Sequence, residues 1–220
     1  MSIFIAYPDG RIGKEARNLF VDRFGYATEI ENRNRLQTLG PYKFAITKAR
    51  DVPEAVEQGC DIGLTGKDFF QEYGGSNRNL VIVETLPICK SRLVLFGRPE
   101  SKRRNVIVTT YPNIAFEYLN RNVRPIDAPE IIRLTGETES WVASGLADFG
   151  IDVVETGRTL EETGLVIKDV IMESSAVIIA RKDNIDRVNT LYGELDMKVI
   201  KKPMEGYKEG GTGHRFTDGG

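Results

Sequence analysis

The sequence predicts an α/β protein of two similar lobes. Apolar, strand-like runs alternate with helix-like segments through almost the whole chain. A helix–glycine–strand unit occurs once in each half. The length of 220 residues gives room for one large domain or two small lobes, each with a real core.

The elements follow in order. Residues 3–6 read as a first strand and 13–23 as a helix. Residues 43–47 are a strand, and 51–58 a short helix started by Asp51, with Pro53 in its first turn. A strand at 61–64 ends in Thr65-Gly66 and feeds a helix at 68–73. Strands are expected at 79–86, 92–96 and 105–109, then a helix at 112–120. A strand at 130–134, a helix at 139–143 and a strand at 147–153 come next. The turn at 160–165 is closed by Gly164. Strands at 166–171 and 176–180 and a helix at 183–192 complete the pattern, which argues for mainly parallel sheets.

The repeated unit is Ala55-Val-Glu-Gln-Gly-Cys-Asp-Ile-Gly-Leu-Thr-Gly66 in the first half and Trp141-Val-Ala-Ser-Gly-Leu-Ala-Asp-Phe-Gly-Ile-Asp152 in the second. Each has a helix end, a stop glycine, an aspartate, and a second glycine inside a strand. The first glycine is a helix C′ signal, and the second marks a close approach. Each unit runs into a helix start, so the two face as the walls of a cleft.

Composition narrows the chemistry. Thirty basic and 32 acidic residues give a formal charge of −2, so there is no basic excess for nucleic acid. The longest apolar runs are strand-sized, and none suits a membrane span. The N-terminus lacks a basic n-region and a cleavage site, which predicts a cytoplasmic protein. Cys60 and Cys89 form no metal-ligand spacing and read as buried apolar residues. The single histidine, His214, lies in a glycine-rich tail at 201–220 that is expected to be flexible. An enzyme of this composition works by positioning and charge stabilisation rather than by histidine chemistry.

The richest segment is Asp152-Val-Val-Glu-Thr-Gly-Arg-Thr-Leu160. A buried strand feeds a Thr-Gly turn that opens a helix. Backbone N–H groups, threonine hydroxyls and an accommodating glycine make such a turn fit for a phosphate. Acidic residues just before it suit sugar hydroxyls, or a metal on a pyrophosphate.

Together these motifs resemble the short-form catalytic subunit of the ATP phosphoribosyltransferase family, from about Ile3 to about Lys182. The resemblance rests on Gly10-Arg11-Ile12, Ala49-Arg-Asp-Val-Pro53, and Asp61-Ile-Gly-Leu-Thr-Gly-Lys-Asp68 with Glu72. It continues through Cys89-Lys90, Thr110-Tyr-Pro-Asn-Ile-Ala115, Gly136 with Glu139, Gly145-Leu-Ala-Asp148 and the Asp152–Leu160 segment. It implies two lobes like a type II periplasmic binding protein, with the site in the cleft between them. Lobe I would be 1–90 plus 173–200, and lobe II 91–172. It also implies transfer of phosphoribosyl from phosphoribosyl pyrophosphate (PRPP) to N1 of ATP with Mg²⁺, the first step of histidine biosynthesis. Glu139, Asp152, Glu155, Thr156, Gly157, Arg158 and Thr159 would hold the phosphoribosyl group. Glu139 and Asp152 would also face a Mg²⁺ on the substrate pyrophosphate. Arg11 and Arg35 would neutralise the leaving pyrophosphate, with Arg33 competing for the second position. Lys48, Lys67 and Asp68 would line the nucleotide side. A homo-oligomer and a histidyl-tRNA-synthetase-like regulatory subunit are implied partners.

Three departures stand out. The family usually has lysine where Asp9 and Thr110 stand, and no acidic residue at Glu137, where the chain reads Glu137-Thr-Glu-Ser-Trp-Val142. The local charge moves by about four units toward negative in a cleft meant for anions. Two further readings therefore stay open: a phosphoribosyltransferase with another acceptor, and a two-lobed binding or regulatory protein without catalysis.

Overall fold

The computed structural model describes residues 3–24, 35–74, 79–101, 105–122 and 128–194. Arg33 and the tail at 201–220 lie outside the described residues. The chain runs β1 (Ile3–Pro8), α1 (Arg11–Phe24), β2 (Leu36–Leu39), β3 (Tyr42–Thr47), α2 (Val52–Glu57), β4 (Ile62–Gly66) and α3 (Lys67–Phe69). A π-helical turn, Phe70–Gly74, extends α3. Next come β5 (Leu80–Thr85), β6 (Ser91–Gly97), β7 (Val106–Thr109), α4 (Pro112–Asn122), β8 (Glu130–Arg133) and α5 (Thr138–Ala143). The described residues close with β9 (Phe149–Val154), α6 (Arg158–Glu162), β10 (Val166–Ser174), β11 (Ala176–Arg181) and α7 (Ile185–Glu194).

Two sheets carry the lobes. The first has the order β2-β3-β1-β4-β11-β5, the second β10-β6-β9-β7-β8. Both are mixed, which corrects the mainly parallel arrangement expected from the alternation. β1 pairs in parallel with β3 and β4, and β7 with β8 and β9. Every pairing of β10, β11, β5 and β6 is antiparallel, because these four strands carry the chain from one sheet to the other and back. β2 is also antiparallel to β3 and was not expected from the sequence. Its four residues are too short to show a period.

Apolar clusters fill both faces of each sheet. That is why β4 and β11 read as unbroken apolar runs: each is buried on both faces. The expected helix at 51–58 is a 3₁₀ turn, Ala49–Asp51, followed by α2, and the Asp51 side chain makes no cap bond. The turn expected at 160–165 starts earlier, as α6.

The repeated unit is real in three dimensions. Asp61 accepts the Phe4 N–H of β1 at 2.9 Å, and Asp148 accepts the Val106 N–H of β7 at 3.1 Å. Arg181 donates to the carbonyls of Val56 and Cys60, and Arg98 to those of Val142 and Ala147. In each lobe an arginine at the end of a neighbouring strand thus ties the end of the repeated helix to the segment that follows it. Val56 O and Val142 O also accept the stop-glycine N–H groups of Gly59 and Gly145, so the arginine adds a second donor to each.

The crossings sit together. Leu86 N–H donates to Ala176 O, and Ala176 N–H donates to Ile88 O, so the two connecting segments are hydrogen-bonded to each other.

Candidate active site

In the second lobe, β9 delivers the Thr-Gly turn to the cleft. Gly157 takes φ +83° and caps α6, a conformation that disfavours any residue with a Cβ. Glu139, Val153, Glu155, Thr156, Gly157, Arg158 and Thr159 line a pocket of about 240 Å³ around this turn. The Arg158 guanidinium pairs with Glu162 at 2.7 Å on the exposed face of α6, while its N–H donates to Thr156 Oγ1. The helix start leaves backbone N–H groups without intrahelical partners, which is what a phosphate needs.

A pair of carboxylates stands beside the turn. Asp152 accepts Thr138 Oγ1–H at 2.9 Å, Thr110 Oγ1–H at 3.2 Å and its neighbour Val153 N–H at 2.7 Å. Thr138 Oγ1 also lies 3.4 Å from Glu139 Oε2. Burial raises the Asp152 pKa above the usual carboxylate value, and the nearby Glu139 charge adds to the rise despite the three donors. Two carboxylates, one reluctant to ionise, form an environment that a divalent cation relieves. Among the described residues no group of three or more His, Cys, Asp or Glu gathers to hold a metal. The pair by itself is no closed metal site; a Mg²⁺ there would need substrate oxygens and water to complete its shell.

The first lobe presents cations from the start of β2 and the end of β3, beside an acid that follows β1. Arg35 Nη1 and Lys48 Nζ both reach Asp9 Oδ2, at 2.9 and 3.0 Å. Burial pushes the Asp9 pKa up, but the hydrogen bonds from Arg35 and Lys48 outweigh it and hold the carboxyl below its ordinary range. Arg11 opens α1, 3.4 Å from Glu15. Cys89 N–H donates to Glu15 at 3.0 Å. Burial, and then the Glu15 carboxylate, push the Cys89 thiol up to about 11, so it is no nucleophile.

Among the described residues, polar side chains join the lobes at several points. Arg11 pairs with Glu155 across the cleft. Asp68, at the start of α3, accepts the Tyr111 hydroxyl at 2.7 Å and the Ser174 hydroxyl at 2.6 Å. Burial first, and then the Asp68 charge, raise the Tyr111 pKa, so the phenol stays a donor. Glu72 accepts the Asn113 and Ile114 N–H groups at the start of α4. Burial raises the Glu72 pKa, and those two N–H groups oppose the rise.

Between these contacts lies an open cavity of about 240 Å³ whose walls include Asp9, Arg11, Asp68, Phe69, Tyr111, Val153 and Glu155. Phe69 and Tyr111 stack at 5.8 Å, giving it an aromatic side. The cavity and the loop pocket share Val153 and Glu155 and so adjoin.

The structure therefore brings Arg11, Asp68, Glu139, Glu155, Thr156, Gly157, Arg158 and Thr159 to one cleft. Asp152 lines neither cavity and joins them through Thr138, next to Glu139. Arg35 and Lys48 join it through Asp9. Lys67 sits beside it, its N–H bonded to Ser175 O at 2.9 Å. Sequence reasoning assigned no role to Tyr111, Ser174 or Glu72. Their signal was a Tyr-Pro helix start and acids after β4, legible only once the lobes are known to touch. The departures are absorbed locally. Two cations neutralise Asp9, Thr110 supplies a donor to Asp152, and Glu137 is exposed in a left-handed conformation at the head of α5.

Comparison with known proteins gives a consistent result. Residues 48–199 match the family model described as ATP phosphoribosyltransferase. The Aquifex aeolicus ATP phosphoribosyltransferase is 32% identical over 218 residues, covering 96% of this chain and 99% of that one. Among solved structures, a chain of the ATP phosphoribosyl transferase (HisG:HisZ) complex from Thermotoga maritima superposes with a TM-score of 0.72 at 25% identity, covering 88% of this chain and 96% of that one. The periplasmic aliphatic sulphonate binding protein SsuA of Escherichia coli shares the fold, with a TM-score of 0.58 at 14% identity over 88% of this chain and 69% of that one.

Proposed function

The chain belongs to the ATP phosphoribosyltransferase family, and from that premise we propose how its cleft divides the reaction. That reaction transfers phosphoribosyl from PRPP to N1 of ATP, releases pyrophosphate and begins histidine biosynthesis. Residues 1–90 with 173–200 act as one lobe and 91–172 as the other, closing about the paired crossings. The observation that carries the reading is the adjoining of a phosphate-sized turn and an aromatic-sided cavity, with Arg11 on the wall facing the turn.

The Thr156–Thr159 turn holds the 5-phosphate through backbone N–H groups and threonine hydroxyls. Asp152, Glu139 and Glu155 accept from the ribose hydroxyls. Mg²⁺, when bound with substrate pyrophosphate at Glu139 and Asp152, supplies charge neutralisation for the departing group. Positive charge develops at the anomeric carbon as the bond to pyrophosphate breaks. The nucleophile is a neutral ring nitrogen, so no general base is needed to prepare it. Arg11 and Arg35 stabilise the charge that accumulates on pyrophosphate, and Lys48, held with Arg35 on Asp9, joins them there instead of lining the nucleotide side as the resemblance implied. The adenine ring lies along Phe69, with Lys67 and Asp68 on the nucleotide side.

The Thermotoga maritima relative is found in a HisG:HisZ complex, and the same kind of regulatory subunit, together with a homo-oligomer in the cytoplasm, is the proposed setting here. Among the described residues no helix is long and apolar enough to cross a membrane. The test is direct. Purified protein is mixed with Mg²⁺, ATP and PRPP, and product absorbance is followed with and without a regulatory subunit. Absence of turnover in both arms refutes the proposal.

A further inference from the structure

We infer that Asp9 is a positioning residue: it locks Arg35 and Lys48 into one fixed cationic fork at the rim of the cleft, aimed at a pyrophosphate. The inference rests on the proposed function only for the identity of the anion. An acid on the wall of an anion site looks like a defect, since by charge alone it repels the ligand. The geometry gives it another role. Asp9 sits at the head of the cavity beside Arg11. Its side chain is only 11% exposed, whereas those of Arg35 and Lys48 are 58% and 62% exposed. One oxygen, Oδ2, holds both cations, and its own backbone is pinned by Asp9 N–H donating to Thr47 O at 2.8 Å.

Arginine and lysine carry much rotamer freedom, and ordering them on binding costs affinity for each side chain. A carboxylate that already holds both removes that cost beforehand. Each bond occupies one donor of a multi-donor cation and leaves others for a phosphate oxygen. The penalty is one negative charge, which the two cations that Asp9 holds offset. The cluster keeps a net positive charge, borne on two long arms.

The two views predict opposite signs. Removing the Asp9 charge strengthens pyrophosphate binding if the residue acts only through its charge. It weakens binding if the residue acts by positioning. Titration calorimetry with inorganic pyrophosphate on the full-length protein, with no turnover required, separates them. Asp9→Asn is expected to weaken binding about tenfold, with Asp9→Glu recovering part of the loss. Equal or tighter binding by Asp9→Asn overturns the inference. A double-mutant comparison guards against mere misfolding. With Arg35→Gln and Lys48→Gln already in place, Asp9→Asn is expected to cost nothing further, and an undiminished loss in that background overturns the inference as well. Turnover of the wild-type enzyme is a separate readout, so failure of the proposed function is distinguishable from failure of the fork.

Discussion

Tyr111 donates its hydroxyl to Asp68 Oδ2 at 2.7 Å, and that one bond joins the two lobes at the floor of the cleft. The acceptor is buried and also accepts the hydroxyl of Ser174, at the end of β10. Tyr111→Phe leaves the ring stacked on Phe69 but strips a buried carboxylate of one donor. The expected cost is about 1–3 kcal/mol of stability, read as a lower denaturant midpoint at unchanged slope. A neutral result would mean that the lobes do not depend on this bond.

Arg11 and Glu155 pair across the opening of the same cleft. Both are partly exposed, so the pair itself adds little stability. Arg11 matters through what replaces Glu155 as its partner when the substrate enters. Arg11→Ala is expected to lower turnover by about two orders of magnitude, consistent with ~3 kcal/mol for a lost charge-stabilising donor, while the melting temperature moves little. Steady-state kinetics beside a thermal melt checks both halves. A large fall in melting temperature with turnover intact would reverse the assignment.

Much of this was legible in the sequence, and the limits have physical causes. Strand and helix positions followed from apolar alternation, because β4 and β11 must be apolar throughout to be buried on both faces. Strand direction did not follow, since a period of two is the same in either direction. The repeated Gly and Asp positions announced two equivalent lobes. The matching arginines did not, because Arg98 lies 44 residues from Val142, and Arg181 lies 125 from Val56. Asp9 read as a lost lysine because its partners stand 26 and 39 residues away. Side chains that act through distant partners leave no local pattern.

Asp152 links function to pH. Its pKa is raised, chiefly by burial and then by Glu139. A raised folded pKa contributes stability below the ordinary carboxylate value. That contribution is lost as pH rises through the folded value. Above the folded value the protein carries a charged, partly buried carboxylate at a cost. Asp152→Asn is expected to raise the melting temperature at pH 7 while abolishing turnover, with the gap closing toward acid pH. Melts over a pH series measure this, and a variant that is less stable at pH 7 would contradict it.

Gly150 tests whether the repeated glycines serve packing or flexibility. A Cβ built there meets Phe96 Cζ at 2.2 Å, and other atoms of the same ring at 2.6 and 2.8 Å. Gly63, its counterpart, would press on Val52 and Val56 at 2.5 and 2.6 Å. Gly145 differs: its φ is +82° and its nearest contact is 3.8 Å, so only backbone strain opposes a side chain. Gly150→Ala is expected to cost about 1–3 kcal/mol by overpacking, and Gly145→Ala about 1–2 kcal/mol by strain. The causes separate in a double variant. Phe96→Leu makes room beside residue 150 and should recover part of the Gly150→Ala loss, but none of the Gly145→Ala loss. Because Gly150 and Asp152 lie on the same face of β9, the same rescue should restore turnover as well as stability. Recovery of stability without activity would place Asp152 outside the influence of this packing.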